Sequence, residues 1–146
     1  MVASSKTIEK YFKEYNKLYF NNKLPQPLFF IHTSYDILGY FNCYKNIYKP
    51  GKYHRMSITM SDRYDFTEDE FKCILLHEMI HLYLVHTKSA IDGNLDHGKL
   101  FIKTITEFNK KYNLNIQVMY NYPIKRAPYT SRLLWWLHQK KWVSVC

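Results

Sequence analysis

The sequence predicts an α+β fold: a three-stranded antiparallel sheet packed on a long apolar helix and its neighbouring helices, closed by a C-terminal strand or hairpin. Three observations predict it. Phe71 to Val85 is apolar nearly all round, as a helix buried on every side must be. Three short segments within residues 28–60 carry strand composition or strict alternation and are separated by turn residues. Residues 7–20 and 97–112 repeat apolar side chains at the spacing of one helix face.

The first helix places Ile8, Tyr11, Phe12, Tyr15, Leu18 and Tyr19 on its inward face, with Glu9 and Lys13 paired on the other. Asn21 and Asn22 end it, and Pro25 and Pro27 keep the next residues extended. Strands are expected at Leu28–Thr33, at Tyr40–Tyr44 after a turn marked by Asp36 and Gly39, and at Arg55–Met60, read as a sheet edge. Thr67 and Glu70 form a capping box that opens the central helix, and the acidic first turn suits its dipole. A polar loop follows Val85. Asp96 is expected to cap a helix from about His97 to Tyr112, with Phe101, Ile105, Phe108 and Tyr112 inward. Leu114–Val118 alternates like a strand, and residues 133–145 read as a hairpin turning near His138 and Gln139.

Composition bounds the function classes. With 146 residues, 47% hydrophobic, 18% aromatic and only 4 Gly, the chain is globular and long enough for one real core. The N-terminus has no apolar h-region and no run is long enough to span a membrane, so a cytoplasmic or nucleoid-associated protein with no signal peptide and no membrane partner is expected. Cys43, Cys73 and Cys146 are too few and too scattered for a disulfide framework or a zinc ribbon. Charge is uneven. Residues 1–102 hold 13 Lys/Arg against 11 Asp/Glu (+2), and residues 103–146 hold 8 against 1 (+7). A basic C-terminal third points to an acidic partner, of which DNA is the commonest.

His77-Glu78-Met79-Ile80-His81 lies in the centre of the apolar helix. Histidines four apart on a helix are about 40° apart in rotation, so both rings project from one face within reach of one Zn²⁺. Glu78 lies about 100° round from His77. It is placed to take a proton from water at the metal rather than to ligate it. Two His and a Glu buried without partners would be costly, and a metal offsets that cost. A catalytic zinc needs a third protein ligand and an open position. His86 lies roughly 180° from His77 and reads as a helix end. Leu84 and Thr87 stand where the metzincin pattern needs Gly and His, which excludes that class. Asp92 and Asp96 are explained by a turn and a helix start. Glu107 would complete a His₂Glu site but is offset from the inward face of its helix. His97 opens that inward face and is the best fit.

Phe12–Phe20 with Asn22-Lys23-Leu24-Pro25, then Leu38-Gly39, Ile58-Thr59-Met60-Ser61, His77-Glu78-Met79-Ile80-His81-Leu82-Tyr83 and Asp96-His97-Gly98-x-x-Phe101 together resemble the SprT-like zinc metallopeptidases, the family that includes Spartan. The resemblance covers roughly residues 8–112. It implies a small zincin-like metalloprotease fold, with His77, His81 and His97 as zinc ligands and Glu78 as the catalytic acid/base. For Spartan-type members it also implies DNA-dependent cleavage of proteins crosslinked to DNA. The chain then divides into a protease core, residues 1–122, and a basic Trp-rich extension, residues 123–146, packed on it where many members carry a cysteine zinc ribbon.

The expected function is therefore zinc-dependent hydrolysis of peptide bonds in a protein or peptide substrate, with the Arg55–Met60 edge a candidate for strand addition. The rival reading is a nucleic-acid-binding module with a structural zinc. Trp135, Trp136 and Trp142 interleave with Arg132, Lys140 and Lys141 as in single-strand binders.

Overall fold

The computed structural model of the protein describes residues 1–45, 53–87, 97–120 and 123–128. The fold is α+β. Its elements run α1 (Ser5–Phe20), β1 (Leu28–His32), β2 (Gly39–Lys45), β3 (Tyr53–Ser61), α2 (Glu68–His86) and α3 (Lys99–Tyr112).

Helix α1 begins two residues earlier than its periodicity shows, because the Ser4 hydroxyl caps the Thr7 amide at 3.1 Å. Ile8, Phe12, Tyr15 and Phe20 are buried, but Leu18 is 55% exposed. Leu18 sits roughly 80° round the helix from Ile8, at the margin of the stripe. Asn21 and Asn22 both take positive φ (53° and 58°) and stop the helix. Buried Asn16 then bonds both the amide and the carbonyl of Leu24 (3.1 and 3.0 Å), which turns the chain into β1.

The sheet is mixed, in the order β1-β3-β2, and not antiparallel throughout. Strand β3 runs parallel to β1 and antiparallel to β2. The antiparallel expectation assumed that consecutive strands are neighbours. Instead residues 33–38 carry the chain past one strand position, and β3 returns to fill it. Arg55–Met60 is therefore in the central strand, with both edges paired, and cannot accept a further strand. Gly39, expected in a turn, starts β2. A Cβ there would stand 3.1 Å from the Thr59 carbonyl, a tight contact that a side chain could make only if the neighbouring strand gave by a few tenths of an ångström.

Phe29, Ile31, Phe41, Ile58 and Met60 pack with the helices in one core built around α2, whose apolar residues are buried on all sides. The capping box is formed: Thr67 Oγ1 accepts from the Glu70 amide (3.2 Å), and Glu70 Oε2 accepts from the Thr67 amide (2.8 Å). Helix α3 starts at Lys99 with Gly98 as N-cap, not at His97, and Asp96 lies outside the described residues. Phe101 and Ile105 are buried, while Phe108 and Tyr112 meet Phe20 and Tyr19 of α1 at 5.1 and 5.0 Å between ring centroids.

Leu114–Val118 is not a strand. Its backbone is held by a side chain: Asn109 bonds both the amide (2.8 Å) and the carbonyl (2.9 Å) of Ile116. Residues 123–128 return to the core through an antiparallel bridge between Arg126 and Tyr64. The hairpin expected at 133–145 lies outside the described residues. Among the described residues no helix is long and apolar enough to cross a membrane.

Removing the cap tests the first turn of α2. Thr67→Ala is expected to cost about 1 kcal/mol in chemical denaturation, and a loss indistinguishable from zero would mean that packing alone fixes this helix start.

Candidate metal centre

Helix α2 positions His77 and His81 one turn apart, with ring centroids 5.1 Å from each other. His97 reaches them from the residues just before α3. Its ring lies 4.9 Å from His77 and 5.3 Å from His81. The donor atoms of the three all lie within 4.8 Å of one another, so His77, His81 and His97 could hold a metal ion. Phe101, on the first turn of α3, backs the cluster. It stacks on His81 at 4.0 Å, nearly parallel (16°), and meets His77 at 4.9 Å. The inward face of α3 thus supplies the packing plate for the rings, and His97 stands one turn before it.

The hydrogen bonds set the tautomer. His77 Nδ1 lies 2.8 Å from the Gln117 carbonyl, which can only accept, so Nδ1 carries the proton and Nε2 keeps its lone pair. That lone pair faces His97 Nε2 at 3.0 Å. Two imidazole nitrogens converging on one point suit a shared cation. A tetrahedral zinc with nitrogen ligands would hold them about 3.3 Å apart. The His77–His97 pair is therefore already near that spacing, and the His81 donor lies within 4.8 Å of both.

Burial keeps these groups neutral. It pulls the His77 imidazole down to about 4, with the Gln117 carbonyl resisting and His97 adding to the fall. It pulls His81 down to about 3, helped by His77 and His97. Both are then in the form that ligates at neutral pH. Glu78 is pushed up to about 8 by burial, while a hydrogen bond from the Phe41 backbone amide pulls the other way. The Phe41 contact follows from the register of β2. The Leu38 carbonyl accepts from the Ser61 amide at 2.9 Å, so Leu38, Tyr40 and Asn42 turn their backbone groups toward β3. Gly39 and Phe41 turn theirs to the outer side of this edge strand.

A cleft of about 410 Å³ opens onto His77, Glu78 and His97. One wall is Ile37, Leu38 and Gly39; the other is Val118, Met119 and Tyr120. The three histidines thus come together, and Glu78 lines the cleft beside His77 and His97. Glu107 does not join them: it is 65% exposed and pairs with Lys103 at 4.0 Å. His86 is exposed at the end of α2, and Asp92 lies outside the described residues with Asp96. Sequence reasoning missed Gln117, Tyr120 and the Phe41 amide. Two of these act through the backbone, which leaves no residue-type signal.

An α+β fold with a three-histidine group able to hold a metal, and a buried carboxyl beside it, points to a metallopeptidase-like domain. The model described as SprT-like family matches residues 8–121, and the chain belongs to that family. Comparison with curated proteins and with solved structures gives no match.

The buried groups set opposite pH slopes in chelator-treated protein. His77 and His81 titrate below their ordinary 6.5, so stability is lost as pH falls from 6.5 toward 4 and 3. Glu78 titrates above its ordinary 4.5, so stability is lost as pH rises toward 8. Denaturation midpoints should therefore peak near pH 6.5. Glu78→Gln should remove the decline on the alkaline side. An unchanged alkaline decline in that variant would refute the assignment to Glu78.

Proposed function

We propose that this chain is a zinc-dependent metallopeptidase that cleaves peptide bonds in proteins held on DNA. The observation that carries the hydrolase reading is the grouping of His77, His81 and His97 at a cleft, beside a strand edge, that His77, Glu78 and His97 line. Zinc is the metal that three neutral imidazoles with an open position suit best. A structural zinc is closed by four protein ligands, and the described residues supply three. This weighs against the reading as a binding module with a structural zinc.

When bound, zinc supplies Lewis-acid chemistry at neutral pH, activating water and polarising a carbonyl. The protein's own groups do the rest. His77, His81 and His97 hold the ion, and the Gln117 carbonyl fixes His77 so that its Nε2 faces the site. Glu78 takes a proton from the attacking water and returns it to the leaving amine. A cation beside Glu78 favours its ionised form, against the burial that raises its pKa. The substrate lies along β2, where the outward amide and carbonyl of Gly39 can pair with an extended chain. The Phe41 amide, also outward, is used to hold Glu78. The edge that takes the substrate is thus the edge that positions the general base.

DNA enters through charge. The 44 residues from 103 carry the excess of +7, and on α3 Lys99, Lys103, Lys110 and Lys111 are all exposed. An exposed basic face on the helix that follows His97 suits a substrate delivered on a polyanion.

Zinc-loaded protein is expected to cleave a DNA-bound protein substrate faster with single-stranded DNA than without. Glu78→Gln should keep its zinc, read by metal analysis, and lose at least about 100-fold in rate. Retained cleavage in Glu78→Gln would remove the role assigned to that residue. Cleavage indifferent to DNA would leave the peptidase reading standing and remove the DNA one.

A further inference from the structure

The cleft at the metal centre has an apolar side chain left in water on each of its two walls. Ile37 on one wall is 49% exposed, and Met119 on the other is 65% exposed. Single exposed apolar residues are ordinary, but these two line the same cleft as His77 and Glu78. Both walls are tied down by hydrogen bonds close to the exposed residue. Before Ile37, the Ser34 hydroxyl accepts from the Asp36 amide (3.0 Å) and the Ser34 carbonyl accepts from the Ser61 hydroxyl (2.6 Å). After Ile37, the Leu38 carbonyl accepts from the Ser61 amide at 2.9 Å. Before Met119, Asn109 holds Ile116 and the Gln117 carbonyl holds His77. Ile37 and Met119 are thus presented on fixed backbone, which lowers the ordering cost of binding between them.

The register of β2 says which part of a substrate meets them. Gly39 pairs with Met60 and Phe41 with Ile58, so Gly39 and Phe41 share the face of the sheet turned to the helices. A Cβ on Gly39 would meet Ile74 of α2 and Met60, both at 3.5 Å, which confirms that direction. In a chain laid along the β2 edge, the residue opposite Gly39 turns its side chain to the same face. Its two neighbours turn theirs to the other face. One substrate side chain is therefore directed to the α2 side, where Ile74, His77 and Glu78 line the cleft. Gly39 adds no side chain of its own, so the space beside it is left to the substrate.

We infer that the cleft selects a substrate by one aliphatic side chain, that of the residue opposite Gly39, and that Ile37 and Met119 are the residues that determine this specificity. The inference rests on the peptidase reading in taking a peptide as the occupant. The cleft, about 410 Å³, has room for a side chain the size of Leu. Such a side chain gives up water for contact with Ile37, Ile74 and Met119 and buries part of both exposed residues in turn. Ala buries too little to gain from this. Asn has nearly the shape of Leu, but it would lose water between apolar walls that return no hydrogen bond.

Binding and cleavage test this separately. Zinc-loaded Glu78→Gln full chain is titrated, by fluorescence anisotropy, into short labelled Ala/Ser peptides that carry one Leu, one Asn or neither. The Leu peptide is expected to bind about tenfold more tightly than the other two. Met119→Ser and Ile37→Ser, each added to that protein, should bring the Leu peptide to the level of the plain one, while Met119→Leu keeps the preference. Both serine changes fall on exposed side chains, so far-ultraviolet circular dichroism should not move. Leu18→Ser, on exposed α1 surface, should leave the preference intact. In the protein with Glu78 in place, moving the Leu along the peptide should move the cut with it, at a constant offset read by mass spectrometry. No difference among the three peptides overturns the inference, as does a Leu preference that survives both serine variants. Cuts indifferent to the Leu overturn it too and leave the peptidase reading standing. A Leu preference in binding, lost in the serine variants, with no peptide cleaved by the unsubstituted protein, would uphold the selectivity of the cleft and remove the peptidase reading.

Discussion

The burial of two histidines and a glutamate in the one helix that touches every other layer is the constraint on which this structure depends. Helix α2 is apolar on all sides, so it cannot turn a polar face to water. His77, Glu78 and His81 are each no more than 9% exposed. Their burial would be expensive without partners. The surrounding elements answer that cost one group at a time. The Gln117 carbonyl takes the His77 Nδ1 proton, the Phe41 amide meets Glu78, Phe101 covers His81, and His97 brings a further imidazole to His77. The stretch after α3, the edge of β2 and the residues before α3 thus all meet the needs of three residues on α2.

Strand order matters to chemistry for the same reason. Had β3 been the edge, the outward backbone groups would belong to the strand farther from Glu78. With β3 in the centre, the edge beside α2 is β2, and alternation turns the backbone groups of Gly39 and Phe41 outward, with Gly39 lining the cleft. A Cβ at Gly39 would press on the Thr59 carbonyl at 3.1 Å and meet Ile74 of α2 at 3.5 Å, two residues from the Phe41 amide that meets the carboxyl. A glycine that reads as turn punctuation in sequence is thus a close-packed position in the wall of the cleft.

How much of this was legible follows from which interactions carry a side-chain signature. The capping box at Thr67, the stop at Asn21, the helical stripe of α1 and the grouping of His77, His81 and His97 all depend on residue type at a fixed spacing, and all were readable. The strand order was not, because pairing partners are chosen by three-dimensional packing and the short link 33–38 looks the same for either neighbour. The segment 114–118 misled for a related reason. Its alternation is real, with Ile116 buried at 2% exposure, but a strand needs a partner strand. Here Asn109 supplies the hydrogen bonds instead. The exposure of Leu18 shows the limit of periodicity alone: a residue at the margin of a stripe is placed by what it packs on.

The site and the sheet put opposite demands on the same molecule. The inner face of the sheet is spent on enclosing α2, whose three ionisable groups take up core positions that apolar side chains would fill at lower cost. A domain of this size with part of its core given to chemistry has less margin from packing than its apolar content suggests.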